Sequence, residues 1–102
     1  MNINKEEIII ETDNTKVRII DLDANTKAPW HHHSEVKDEF FCLEGVIEVH
    51  YKNPEKTVLL SPGERCTVET GVIHRVTNPS NNPSMYLLVQ GVGKYDFIKD
   101  DL

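Results

Sequence analysis

Trp30-His31-His32-His33-Ser34-Glu35-Val36-Lys37-Asp38-Glu39-Phe40-Phe41-Cys42-Leu43 is the stretch on which the reading of the chain turns. In an extended strand successive side chains leave opposite faces, so His31 and His33 point one way and His32 the other. Two imidazoles in an H-x-H spacing can bite one metal ion. Residues 34–37 read as a short loop, and the strand after it sets Asp38, Phe40 and Cys42 on one face and Glu39, Phe41 and Leu43 on the other. If the first face is the interior, Asp38 joins the histidines. Neutral imidazole suits several first-row metals, and a carboxylate offsets part of a dication's charge.

On either side of this stretch, residues 8–10, 16–22, 39–43, 46–51, 57–60, 65–68, 75–77 and 85–90 are strand-length and rich in β-branched and aromatic types. Between them fall Asp13-Asn14, Asn25, Gly45, Asn53-Pro54, Ser61-Pro62-Gly63, Thr70-Gly71 and residues 78–83, the types that supply turns and stop helices. Helical apolar periodicity never runs for ten residues without such a breaker. Short strands about ten residues apart predict an all-β sandwich or small barrel.

A length of 102 residues suits one domain, residues 1–102, with no linker or low-complexity tract to divide it. With 38% hydrophobic and 27% charged residues the composition is that of a soluble globular chain. The net charge is −6 with histidine neutral, and the 11 lysines and arginines form no cluster that could follow a phosphate backbone, which argues against nucleic acid. Residues 1–11 hold neither a signal-peptide core nor a membrane span, so a cytoplasmic protein is expected. Cys42 and Cys66 make no disulfide framework and read as reduced, buried thiols on inward faces. The histidine triplet is internal and too short for an expression tag.

Two runs of residues resemble the motifs of the cupin family. The first motif, G-x5-H-x-H-x(3,4)-E-x6-G, is similar to Asn25, His31, His33, Asp38 and Gly45, with every interval intact. The second, G-x5-P-x-G-x2-H-x3-N, is similar to Gly63, Glu69, Gly71, His74 and Asn78, again in register. The resemblance covers about residues 16–92. It implies a single-domain cupin jelly-roll β-barrel with a metal inside, and the ligand set His31, His33, Asp38 and His74. The cofactor it implies is one divalent first-row transition metal, with iron, manganese, nickel and zinc all open. The run 90–97 looks like that of small stand-alone cupins.

Three positions depart from the pattern. Asp38 stands where the family usually has Glu, so its carboxylate is shorter by one C–C bond of about 1.5 Å, whereas metal–ligand distances tolerate only about 0.2 Å. Glu39 is the rival for that place, although strand parity sends it to the other face. Asn25 replaces a Gly and tolerates a left-handed backbone, and Glu69 replaces a Pro while Gly71 still permits the bend.

Phe40, Cys42, Tyr86 and Gln90 are candidate walls of a ligand pocket, and Trp30 is a candidate wall or interface residue. His32 is read as outward, and His50, sharing a face with Glu48 and Lys52, as part of a solvated edge. No catalytic residue is singled out. The resemblance implies a metal-dependent enzyme acting on a small oxygen-rich molecule, a dioxygenase, an isomerase or a decarboxylase, and an oxygenase of iron or manganese type is put first; no general base is evident for an isomerase. The alternative is a module that binds a small ligand, or a structural metal, without turnover. A homodimer is expected, because a small antiparallel domain must cover its edge strands, and residues 8–10 are the candidate paired strand.

Overall fold

Among residues 3–102, which the computed structural model describes, turn residues cut the chain into strands and leave no helix. In order these are β1 (Ile3–Glu11), β2 (Thr15–Leu22), β3 (His31–His32), β4 (Lys37–Glu44), β5 (Ile47–Tyr51), β6 (Lys56–Leu60), β7 (Arg65–Val68), β8 (His74–Thr77), β9 (Ser84–Gly91) and β10 (Ile98–Lys99). They form two five-stranded sheets, ordered β1-β2-β9-β4-β7 and β10-β3-β8-β5-β6. Every pairing is antiparallel. The fold is a jelly roll whose sheets stay separate ladders, so the expected barrel is a two-sheet sandwich and not a closed cylinder.

Period-two alternation builds the interior. On β9 the buried positions are Ser84, Tyr86, Leu88 and Gln90, on β4 they are Asp38, Phe40 and Cys42, and on β2 they are Arg18, Ile20 and Leu22. Ile47 and Val49 of β5, Leu60 of β6 and Val76 of β8 meet them from the second sheet in one apolar cluster. Each such fully buried aliphatic side chain contributes about 1.5–3 kcal/mol relative to exposure, which is what lets the same interior carry buried polar groups.

The turns use the residue types that positive φ demands. Asn25 and Asn53 both sit at φ 57°, the left-handed conformation that Asn tolerates. Gly45 combines φ +68° with a tight approach, since a Cβ there would lie 2.9 Å from the Pro83 carbonyl oxygen.

Two elements extend beyond the sequence reading. β1 begins at residue 3, because its early residues alternate polar types on an edge strand and give no apolar signal, yet it pairs with β2 from Ile3↔Leu22 to Glu11↔Lys16. An irregularity between Ile8 and Ile10 goes with three consecutive exposed isoleucines. β10 is a two-residue pairing with β3, too short for a sequence pattern. His50 is corrected from a solvated edge: β5 lies between β8 and β6, and the ring bridges Thr77 Oγ1 at 3.1 Å and Thr57 Oγ1 at 3.2 Å.

Candidate metal centre

Residues from both sheets converge at one end of the interior. His31 on β3 lies directly across from His74 on β8, and His33 follows just after β3. From the facing sheet, Asp38 at the start of β4 lies between Val68 of β7 and Gln90 of β9. His31, His33, Asp38 and His74 are all buried, and one ligand atom from each lies within 4.8 Å of the others.

The hydrogen bonds fix which nitrogen each ring presents. Nδ1 of His31 donates to the Pro29 carbonyl at 3.0 Å, Nδ1 of His33 to that of Asp96 at 2.5 Å, and Nδ1 of His74 to that of Val72 at 2.8 Å. A carbonyl only accepts, so each Nδ1 carries the ring proton, and a neutral ring then has a bare lone pair at Nε2. Nε2 of His33 and of His74 faces Asp38 Oδ2 at 3.2 and 2.9 Å. Lone pairs on both sides repel unless a proton or a cation lies among them. Three neutral nitrogens and one carboxylate oxygen are a donor set that fits a divalent first-row ion. These ligand atoms, all within 4.8 Å of one another, are near enough for one ion to draw them together.

The electrostatics agree. Burial, reinforced by neighbouring His74, pushes the His31 pKa down to about 4, so this ring stays neutral. Burial alone would lower His33, but the hydrogen bond and charge of Asp38 raise it above its ordinary value. Burial alone would raise Asp38, and the hydrogen bonds and charges of His33 and His74 more than reverse that, holding its carboxyl below the usual range.

Asp38 reaches the cluster despite its missing methylene. Its Oδ1 accepts from Gln90 Nε2 at 2.9 Å, and Gln90 Oε1 in turn accepts from Arg18 Nη2 at 2.5 Å. Glu39 points to the other face, where its carboxylate accepts from Thr67 Oγ1 at 2.6 Å. It takes no part in the cluster.

Beside the cluster lies a cavity of about 70 Å³. Phe40, Tyr86 and Gln90 are in its wall, with Ile20, Val76 and Leu88. Cys42 is corrected: it lies outside that wall because its thiol turns into the core, toward the Gly45 carbonyl oxygen at 3.4 Å. Burial raises its pKa and that of Cys66, which leaves both thiols protonated and inert. Trp30 also lies outside the cavity, with Lys52 and Arg75 each 4.8 Å from its ring. His32 turns away, with Nδ1 2.9 Å from Asp100 Oδ2.

Besides apolar residues such as Ile20, Val76 and Leu88, the sequence reading missed Arg18, Tyr95 and Phe97 in the wall. Arg18 was legible in principle, as a charge in the inward phase of a strand that continues Ile20 and Leu22. Tyr95 and Phe97 were not, since they belong to an irregular segment that folds back over the site. Phe97 stacks on His31 with ring centroids 4.1 Å apart, and Tyr95 lies 5.5 Å from the His33 ring. The segment is tied down by Asp96, whose carboxylate accepts from the Ser34 backbone N–H at 2.9 Å and from the Ser34 hydroxyl.

The sequence profile of the family described as Cupin domain matches residues 18–90. No curated protein matches the chain. Among solved structures, an uncharacterized conserved protein with a double-stranded beta-helix domain from Klebsiella pneumoniae is 19% identical, with a TM-score of 0.81 over 95% of this chain and 84% of its own. The polyketide cyclase RemF from Streptomyces resistomycificus is also 19% identical, with a TM-score of 0.80 over 95% of this chain and 70% of its own. An oxalate oxidase is 13% identical, with a TM-score of 0.77 over 84% of this chain but only 46% of its own. At these identities the likeness is one of fold.

Proposed function

The chain belongs to the cupin family, and from that footing we propose that it is a metal-dependent oxygenase, holding one divalent iron- or manganese-type ion at His31, His33, Asp38 and His74 and acting on a small oxygen-rich molecule. One observation carries this reading: three buried rings are each anchored through Nδ1 to a backbone carbonyl, and Nε2 of two of them, His33 and His74, faces one buried carboxylate. Such an ion, when bound, polarises oxygen ligands and supplies redox chemistry with dioxygen at positions the protein leaves free.

The chain's own residues do the rest. The backbone carbonyls orient the rings, and Gln90 holds Asp38. Phe40, Val76 and Leu88 exclude water on one side, and Phe97 and Tyr95 cover the other. Oxalate, in the name of one similar structure, is a small oxygen-rich molecule and is in keeping with the proposed substrate class. The modest cavity favours a second reading, a module that holds a small ligand or a structural metal without turnover.

Within this reading the chain is one domain, working in the cytoplasm with reduced thiols, in keeping with its unpaired Cys42 and Cys66. The exposed isoleucines 8–10 on edge strand β1 support pairing with a second copy.

The test is metal analysis of the protein as prepared, followed by oxygen-electrode measurements with candidate substrates. Bound iron or manganese with substrate-dependent oxygen uptake is the expected result. Tightly held zinc with no oxygen uptake would replace the oxygenase by the module.

A further inference from the structure

Arg18 is a buried cation that metal binding does not require. It occupies the inward phase of β2, is only 8% exposed, and lies in the wall of the cavity beside the cluster. A buried charge is costly unless it is well paired, and this one is paired incompletely. Its Nη1 reaches Glu6 Oε2 at 3.3 Å, on a side chain that is itself 36% exposed. Its Nη2 is bonded to the neutral Gln90, and its Nε is buried with no partner among the described residues. The guanidinium carbon also lies over the Tyr95 ring, 5.5 Å from its centroid.

Charge in the cavity points the same way. Among the described residues Asp38 is the one carboxylate in the wall, Glu6 reaches Arg18 from outside it, and a divalent ion together with Arg18 outweighs the two. An anionic ligand would restore the balance. A guanidinium matches a carboxylate through two parallel N–H···O bonds, and a cavity of about 70 Å³ has room for only a few heavy atoms. Resting on the metal reading above, we propose that the ligand of this site is a small organic carboxylate, bound between the guanidinium of Arg18 and the His31/His33/Asp38/His74 cluster.

The competing role for Arg18 is purely structural: it holds Gln90, which holds Asp38. The two roles separate in a binding experiment on the full chain loaded with Co(II), whose visible spectrum reports changes of ligand at the ion. Lactate is titrated against lactamide, a neutral molecule of the same shape. The wild-type chain is expected to prefer lactate. Arg18→Gln is expected to keep its Co(II) and its lactamide affinity while losing lactate affinity by ~10- to 100-fold, as for a lost charge-assisted bidentate bond. Arg18→Lys, which keeps the charge without the planar fork, is expected to lose less, ~3- to 10-fold.

Unchanged lactate affinity in Arg18→Gln, or an equal loss for both ligands, would overturn the proposal and leave the metal reading standing. If Arg18→Gln does not fold, Arg18→Lys decides, and an unchanged preference for lactate in it overturns the proposal. A wild-type chain that takes up no Co(II) would sink the metal reading, and this inference with it.

Discussion

The two ends of the space between the sheets follow opposite rules, although β2, β4 and β9 run through both. At one end Leu22, Ile47, Val49 and Leu60 are buried carbon against carbon. At the other, Arg18, His31, His33, Asp38, His74 and Gln90 are just as buried and are polar. The change runs row by row: Asp38 faces Gln90, Phe40 faces Leu88 across from Arg18, and Cys42 faces Tyr86 across from Ile20. One alternation therefore builds both ends. What differs is that packing places a residue at the apolar end, whereas a named hydrogen bond places each residue at the polar end.

Damage at the two ends should accordingly separate metal binding from stability. His74→Ala, at the polar end, is expected to weaken metal affinity by more than about a hundredfold, as seen by metal analysis after dialysis, since loss of a ligand exceeds the effect of losing a residue that supports one. Ile47→Ala, at the apolar end, is expected to cost about 2–5 kcal/mol in urea unfolding while leaving metal content unchanged. Metal loss from the Ile47 variant under native conditions would show that the ends are not independent. Gln90→Leu removes the donor to Asp38 Oδ1 and is expected to lower metal affinity by about 10- to 100-fold, measured by competition with a chelator.

Acid should act on the polar end alone. Protons compete for Nε2, and His33, held above the ordinary 6.5 by Asp38, takes one first, whereas His31 stays neutral until about pH 4. Metal should therefore leave as pH falls from the ordinary histidine range toward 4, and release only below that range would contradict the order. In the metal-free chain the sign reverses: a raised His33 adds stability below pH 6.5 that is lost as pH rises through its folded value. The smallest effect is expected from Glu39→Ala, on the outer face, at under about 1 kcal/mol in stability and with full metal retention.

The contrast between the ends also marks what the sequence made legible. Strand parity put Asp38, Phe40 and Cys42 on the inner face and Glu39 on the outer, which is how β4 lies. The resemblance to the cupin motifs named the four residues whose ligand atoms the fold brings within 4.8 Å of one another. Arg18 was passed over because an inward charge breaks the apolar pattern from which strands are recognised. Tyr95 and Phe97 were out of reach for a different reason, since no periodicity governs residues 92–97 and only contacts such as Ser34 with Asp96 position them. The shorter carboxylate still stands among the rings, with Asp38 Oδ2 3.2 Å from Nε2 of His33 and 2.9 Å from that of His74. Cys42 shows the limit of parity: it fixed the face and not the distance along the strand from the cavity.

The most direct test of the account is anomalous scattering, at the edge of whichever metal is present, from crystals of the protein as prepared. One peak is expected, at coordination distance from Nε2 of His31, His33 and His74 and from a carboxylate oxygen of Asp38. A crystal with no peak there, or one whose ion rests on Glu39, His32 or His50 instead, would contradict it.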